Sequence, residues 1–191
     1  MNLPKLASAQ EANEWGNANY PNIKWCLDGL DESLIQTVVE QFHLLAQSFP
    51  RVAESLSGYC VGEVLDEPED RPGLAYYDRD DGVIILNYRF WRDADDLRKK
   101  VDVGMLNRFR FFSTNPIGAL IAHEFGHAAY ELFCGTEEYD EWKNLVPCYV
   151  SNYAKENELE LFAETFAYCV PLEYRPGYPG RTYQLVVDAM V

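Results

Sequence analysis

The chain has 191 residues, 48% of them hydrophobic and 14% aromatic, enough to bury a sizeable core and too many for a disordered or low-complexity protein. Sixteen basic against 31 acidic residues give a formal net charge of −15, which repels phosphate backbones and anionic lipid and argues against nucleic acid or membrane partners. The first ten residues lack the apolar stretch of a secretion signal and no apolar run reaches the roughly 18 residues of a membrane span, so a cytoplasmic protein is expected.

No internal repeat interrupts the chain, and it reads as one domain over residues 1–191, with the first 70 residues of unassigned role. Residues 31–48 bring Leu34, Ile35, Val38, Val39, Phe42, Leu45 and Ala46 to one helical face before Pro50, which predicts a core-facing helix. Residues 58–65 predict a strand, followed by an acidic loop containing proline. The runs at 74–77 and 83–87 flank an Asp/Gly turn and predict a hairpin. A charged helix is expected within 93–110.

Ser113, Thr114 and Asn115 before Pro116 then open a helix to about residue 132, with Ile117, Leu120, Ile121, Phe125, Ala128, Ala129 and Leu132 as its apolar stripe and Gly135 as its stop. Residues 134–153 are mixed and partly helical. A last amphipathic helix spans 156–170, with Leu159, Phe162, Phe166 and Val170 on one side and Pro171 beyond it, and a short terminal segment follows at 182–190. Helices and a few strands in this order give an α+β class with a small sheet.

Cys26, Cys60, Cys134, Cys148 and Cys169 are an odd set without CxxC spacing, so buried free thiols are expected, and no disulfide framework or cysteine zinc site. A Cys134–Cys148 bridge is conceivable only if the protein is exported.

The chemistry concentrates at residues 123–127, His-Glu-Phe-Gly-His, in the middle of the 116–132 helix. Positions i and i+4 lie about 40° apart around a helix axis, so the imidazoles of His123 and His127 can meet one ion. Two neutral imidazoles and a carboxylate suit Zn2+, one per chain, with the fourth position left to water. Glu124 is one residue on from the first ligand and is the candidate general base. Two of the chain's three histidines fall in this segment, which weighs against coincidence.

Glu40 and His43 offer a second Glu-x-x-His pair, as in di-iron helical bundles. On the 31–48 helix, however, Glu40 lies opposite the apolar stripe and His43 at its flank, so both are expected to face solvent.

A third ligand must come from elsewhere. Glu160 and Glu164 are i and i+4 on the 156–170 helix, so one can bind metal while the other orients a ligand imidazole from behind. Ala163 and Ala167 border that face and would let the HEFGH helix approach. The same carboxylates lie off the apolar stripe and would equally suit a solvated face.

HEFGH followed by Y-A-x-x-N-E-x-E-x-F-A-E-x-F resembles the gluzincin metallopeptidases related to the anthrax lethal factor catalytic domain and the Pro-Pro endopeptidases. The resemblance spans about 25 residues in two blocks. It implies a zincin-like fold, an edge strand beside the active-site helix, Glu160 as third zinc ligand, Glu164 behind the ligands and Tyr153 as a hydroxyl that stabilises the tetrahedral intermediate. It also implies a protein or peptide substrate, with residues 83–87 as the candidate edge for main-chain pairing, although the same run reads equally as an ordinary core strand. Two readings from other classes stand beside it: a non-catalytic zincin-like accessory protein, and an acidic decoy of a nucleic-acid-binding protein.

Overall fold

In the computed structural model, the described residues are 3–64, 73–107, 116–145, 153–169 and 185. The chain begins with a helix that the apolar pattern did not reveal, α1 (Ala9–Asn19). Ser8 caps it by accepting from the Glu11 N–H, and Glu11 reaches back to the Ala7 N–H. A Ser-x-x-Glu signature of helix entry was therefore present at 8–11. A Cβ at Gly16 would fall inside the Trp25 indole, so α1 lies flat on strand β1 (Lys24–Cys26).

Asp31 caps α2 (Glu32–Ser48), which buries the predicted stripe. After the short α3 (Pro50–Ser55) come β2 (Gly58–Gly62), β3 (Ala75–Asp78) and β4 (Val83–Asn87). The four strands form one mixed sheet in the order β1-β2-β4-β3. β1 and β4 run parallel to β2, and β3 runs antiparallel to β4 as the predicted hairpin.

The sheet order corrects one expectation. Residues 83–87 do not form an edge: β4 is paired on both sides, and the sheet's two edges are β1 and β3. The reason lies in composition. The apolar Val-Ile-Ile-Leu run suits an interior strand, whereas Ala75–Asp78 carries the exposed Tyr76 and a charge, which an edge tolerates.

Trp25, Tyr59, Ile84 and Tyr77 form one row across the sheet on the face that meets the helices. Phe42 of α2 stacks on Tyr59 at 4.7 Å and meets Phe125 edge-on at 6.0 Å, so it joins the sheet to the helix that carries HEFGH. That helix, α6 (Pro116–Phe133), follows α4 (Tyr88–Trp91) and α5 (Ala94–Asn107). It ends at Gly135, whose φ of +88° is the left-handed conformation of a glycine stop. The Ser/Thr/Asn segment expected to open it lies outside the described residues. Beyond it come α7 (Glu137–Leu145), a 3-10 turn (Tyr153–Lys155) and α8 (Glu158–Cys169). The 182–190 segment lies outside the described residues except for Leu185.

His43 is a second correction. It is buried rather than solvent-facing because α1 covers that flank of α2: its Nδ1 sits 2.6 Å from the Tyr20 hydroxyl and its ring lies edge-on to Trp15. Glu40 is exposed as expected and accepts from Gln36.

The cysteines are a third correction. Cys26, Cys60 and Cys134 are free, but the first two are half-buried and Cys134 is exposed. Cys148, its conceivable partner, lies outside the described residues. No helix among the described residues is long and apolar enough to cross a membrane.

Candidate metal centre

The centre is built where α6 crosses α8. Gly126, the small residue inside HEFGH, makes the crossing close: a Cβ there would stand 3.0 Å from the Ala163 Cα and 3.1 Å from the Phe166 Cβ. Ala163 and Ala167, both buried, provide the matching surface on α8. Phe166 and Phe162 continue the contact as core, against Phe49 and Phe133.

Asn157 fixes the start of α8 by accepting from the Glu160 N–H at 2.9 Å. This cap puts Glu160 in the first helical turn, where the unpaired N–H groups favour a carboxylate. The Asn-Glu-x-Glu part of the sequence thus has a local structural cause.

His123, His127 and Glu160 converge. Nε2 of His123 lies 3.0 Å from Nε2 of His127 and 3.2 Å from Oε2 of Glu160, and the third side of the triangle is 3.7 Å. A tetrahedral ion with ligand bonds of about 2.0–2.1 Å separates its ligand atoms by about 3.3–3.4 Å. The observed separations bracket that value. Oε2 of Glu160 is buried and faces the two histidine Nε2 atoms, as an oxygen placed to share a cation with them would be. Among the described residues this is the one group of three or more His, Cys, Asp or Glu side chains placed to share an ion. The donor set fits a metal ion.

Glu164 lies behind the triangle, 1% exposed, with Oε1 2.8 Å from Nδ1 of His123. The solvated-face alternative for Glu164 is therefore excluded. The Tyr153 ring lies 5.9 Å from that of His123, and its hydroxyl donates to Glu160. Glu124 is buried beside the triangle and receives the backbone N–H of Tyr77 on β3.

Tyr77 was not foreseen as a site residue, because a main-chain donor leaves no mark in residue type. Leu74 accepts from the Asn87 N–H, and antiparallel pairing alternates, so the main-chain groups of Ala75 and Tyr77 point away from β4. Arg79, in the hairpin turn, pairs with Glu131 of α6 at 2.8 Å and ties the same hairpin to the helix.

The electrostatics are those of a metal-free site. Burial opposes a charge on His123, but Glu160, Glu164 and Glu124 outweigh it and hold His123 well above its ordinary range. Burial, followed by the charge of His123, pushes His127 down to about 3. Burial pushes Glu124 up to about 7 against the opposing His123 charge, with Glu160 and Glu164 adding to the rise. For Glu160, burial is overcome by His123, His127 and Tyr153, and the carboxyl is held below its usual value.

No protein-family model, curated protein or solved structure matches this chain. The arrangement itself offers a three-donor group that could hold a metal ion, with a buried carboxyl beside it that also meets the main chain of the β3 edge strand.

Proposed function

We propose that this chain is a zinc-dependent endopeptidase that hydrolyses peptide bonds with Glu124 as general base. The observation that carries the reading is the triangle of His123, His127 and Glu160 donor atoms, at 3.0 to 3.7 Å, with the buried Glu124 next in sequence to the first ligand. A His/His/Glu set with its fourth position open is the donor chemistry of hydrolytic zinc. Zinc bound there supplies Lewis acidity toward the scissile carbonyl and lowers the proton affinity of the attacking water.

The chain's own residues do the rest. Glu164 holds the Nδ1 side of His123 and so presents Nε2 to the ion. Glu124, buried and next in sequence to His123, receives the water proton and delivers it to the leaving amine. Tyr153, whose hydroxyl donates to Glu160 in this structure, is the donor for the developing oxyanion. An extended peptide pairs with the outward main-chain groups of β3 that Glu124 leaves free, those of Ala75 and the Tyr77 carbonyl. The net charge of −15 favours basic peptides.

The resemblance to the lethal factor and Pro-Pro endopeptidase group rests on these same residues and supports the same reading. The test is a peptide-library digest with metal analysis of the same sample. One zinc per chain and cuts that stop with chelator and return with zinc are expected. A protein that holds one zinc yet cleaves nothing in the library would be a metal-binding protein without this activity.

A further inference from the structure

We propose that Cys26 and Cys60 form a proximal dithiol that a small-molecule disulfide converts into a bond between β1 and β2. The two residues are register partners on adjacent parallel strands, so their side chains leave the same face of the sheet. Neighbouring strands lie about 4.7–4.9 Å apart, inside the about 4.4–6.8 Å that a disulfide requires between Cα atoms. Both thiols are free and both are half-buried, so a reagent can reach them.

This face is opposite to the one that meets α2 and α6. The row containing the thiols continues through Ile85 to Tyr76, which is 46% exposed. Along β2, the same-face neighbours of Cys60 are Gly58 and Gly62, so no side chain stands above or below the sulfur on its own strand. β1 is an edge strand, which leaves the flank of Cys26 beyond the sheet without a paired strand among the described residues. The Cys26 thiol donates to Asp28 at 3.7 Å, a weak contact that breaks easily.

Oxidised glutathione is a suitable co-reactant. The thiolate of Cys26 attacks one of its sulfurs, the glutathione S–S bond breaks and one glutathione thiolate leaves. The thiolate of Cys60 then attacks the Cys26 sulfur of the mixed disulfide and releases the second glutathione. Two electrons pass from the protein to glutathione, and the two thiol protons end on the two released glutathiones. Burial pushes the Cys60 thiol up, which suits Cys60 to the second, intramolecular step, where proximity replaces thiolate abundance. In the reduced chain β1 is held to β2 over only three residue pairs, so the bond would staple the α1–β1 segment to the sheet.

The experiment treats the full chain with oxidised glutathione and maps the cysteines by peptide mass. The expected product links the peptide containing residue 26 to that containing residue 60, with two thiols lost from the pair and no glutathione retained on either. A Cys60→Ser protein should instead retain glutathione on Cys26. Phenylarsine oxide, which bridges close dithiols, should bind the untreated wild-type protein and protect both cysteines from alkylation, a readout that needs no variant. Mixed disulfides that persist at both positions in the wild-type protein, linkage of either residue to another cysteine, or absence of arsenical protection would overturn the proposal.

Discussion

Nδ1 of His123 lies 2.8 Å from Oε1 of Glu164, on the side of the ring opposite to the nitrogen that meets His127 and Glu160. Glu164 is almost wholly buried, so its contact with His123 is not screened by water. Replacing it frees the ring to turn and changes which nitrogen carries the proton. Glu164→Ala is expected to weaken metal binding by about 10–100-fold, measured by competition with a chelating dye, with part of the affinity recovered in Glu164→Asp. Equal affinity in the alanine variant would remove Glu164 from the site.

Glu124→Gln separates binding from turnover. The amide keeps the size of the side chain and cannot take a proton, so the variant should hold one metal ion per chain and lose on the order of 10²–10⁴ in kcat on any peptide that the wild type cleaves. His123→Ala and Glu160→Ala should instead lose the metal, read by elemental analysis after gel filtration. Wild-type turnover by Glu124→Gln would assign the base to another residue.

The same carboxyl gives the metal-free protein a pH signature. Its folded pKa of about 7 lies above the ordinary 4.5, so between these values the folded state holds a proton that the unfolded state has lost. Stability from this group is complete below pH 4.5 and falls as pH rises to about 7, by about 3 kcal/mol in all. Urea melts in chelator at pH 5 and pH 8 should show wild type losing more than Glu124→Gln over this interval. His123, which Glu124 itself helps to raise, adds a loss of the same sign, so the difference reads Glu124 together with its coupling to His123.

Metal uptake itself should release protons at pH 7. His123 is held protonated by Glu160 and Glu164, and its Nε2 must give up that proton to bind an ion. Affinity therefore rises with pH. Calorimetric titrations in two buffers of different ionisation enthalpy would give heats that differ by the number of protons released, and identical heats would contradict a protonated His123.

Gly126→Ala tests the helix crossing. The new methyl would stand 3.0 Å from a backbone carbon of Ala163, which cannot swing aside. Overpacking of about 1–3 kcal/mol outweighs the gain of about 1 kcal/mol in helix propensity, so the variant should be less stable and should bind metal more weakly as Glu160 is levered away. Denaturant melts and chelator competition on the same variant measure both effects.

The parts of this molecule that were legible in its sequence are those that one element encodes alone. His123 and His127 share a helix, so spacing fixed their convergence. Val83–Asn87 was recognisable as a strand, but its place between β2 and β3 depends on pairing across the chain, and the resemblance suggested an edge. Glu160 needed a second helix, and periodicity left it equally suited to solvent. The burial of His43 was illegible because it depends on α1, whose apolar pattern is weak even though Ser8 and Glu11 marked its start. The donor to Glu124 had no signal at all, being the main chain of Tyr77.

That last contact makes the hairpin intolerant of small changes in length. Main-chain groups in a strand alternate in direction, so a slip of one residue between β3 and β4 would turn the Tyr77 N–H into the ladder and take it from Glu124. Single-residue insertions or deletions at 79–82, in a turn that by exposure alone looks freely variable, would reach the buried carboxyl across the sheet edge. Paired changes that restore the alternation should be accepted far more readily.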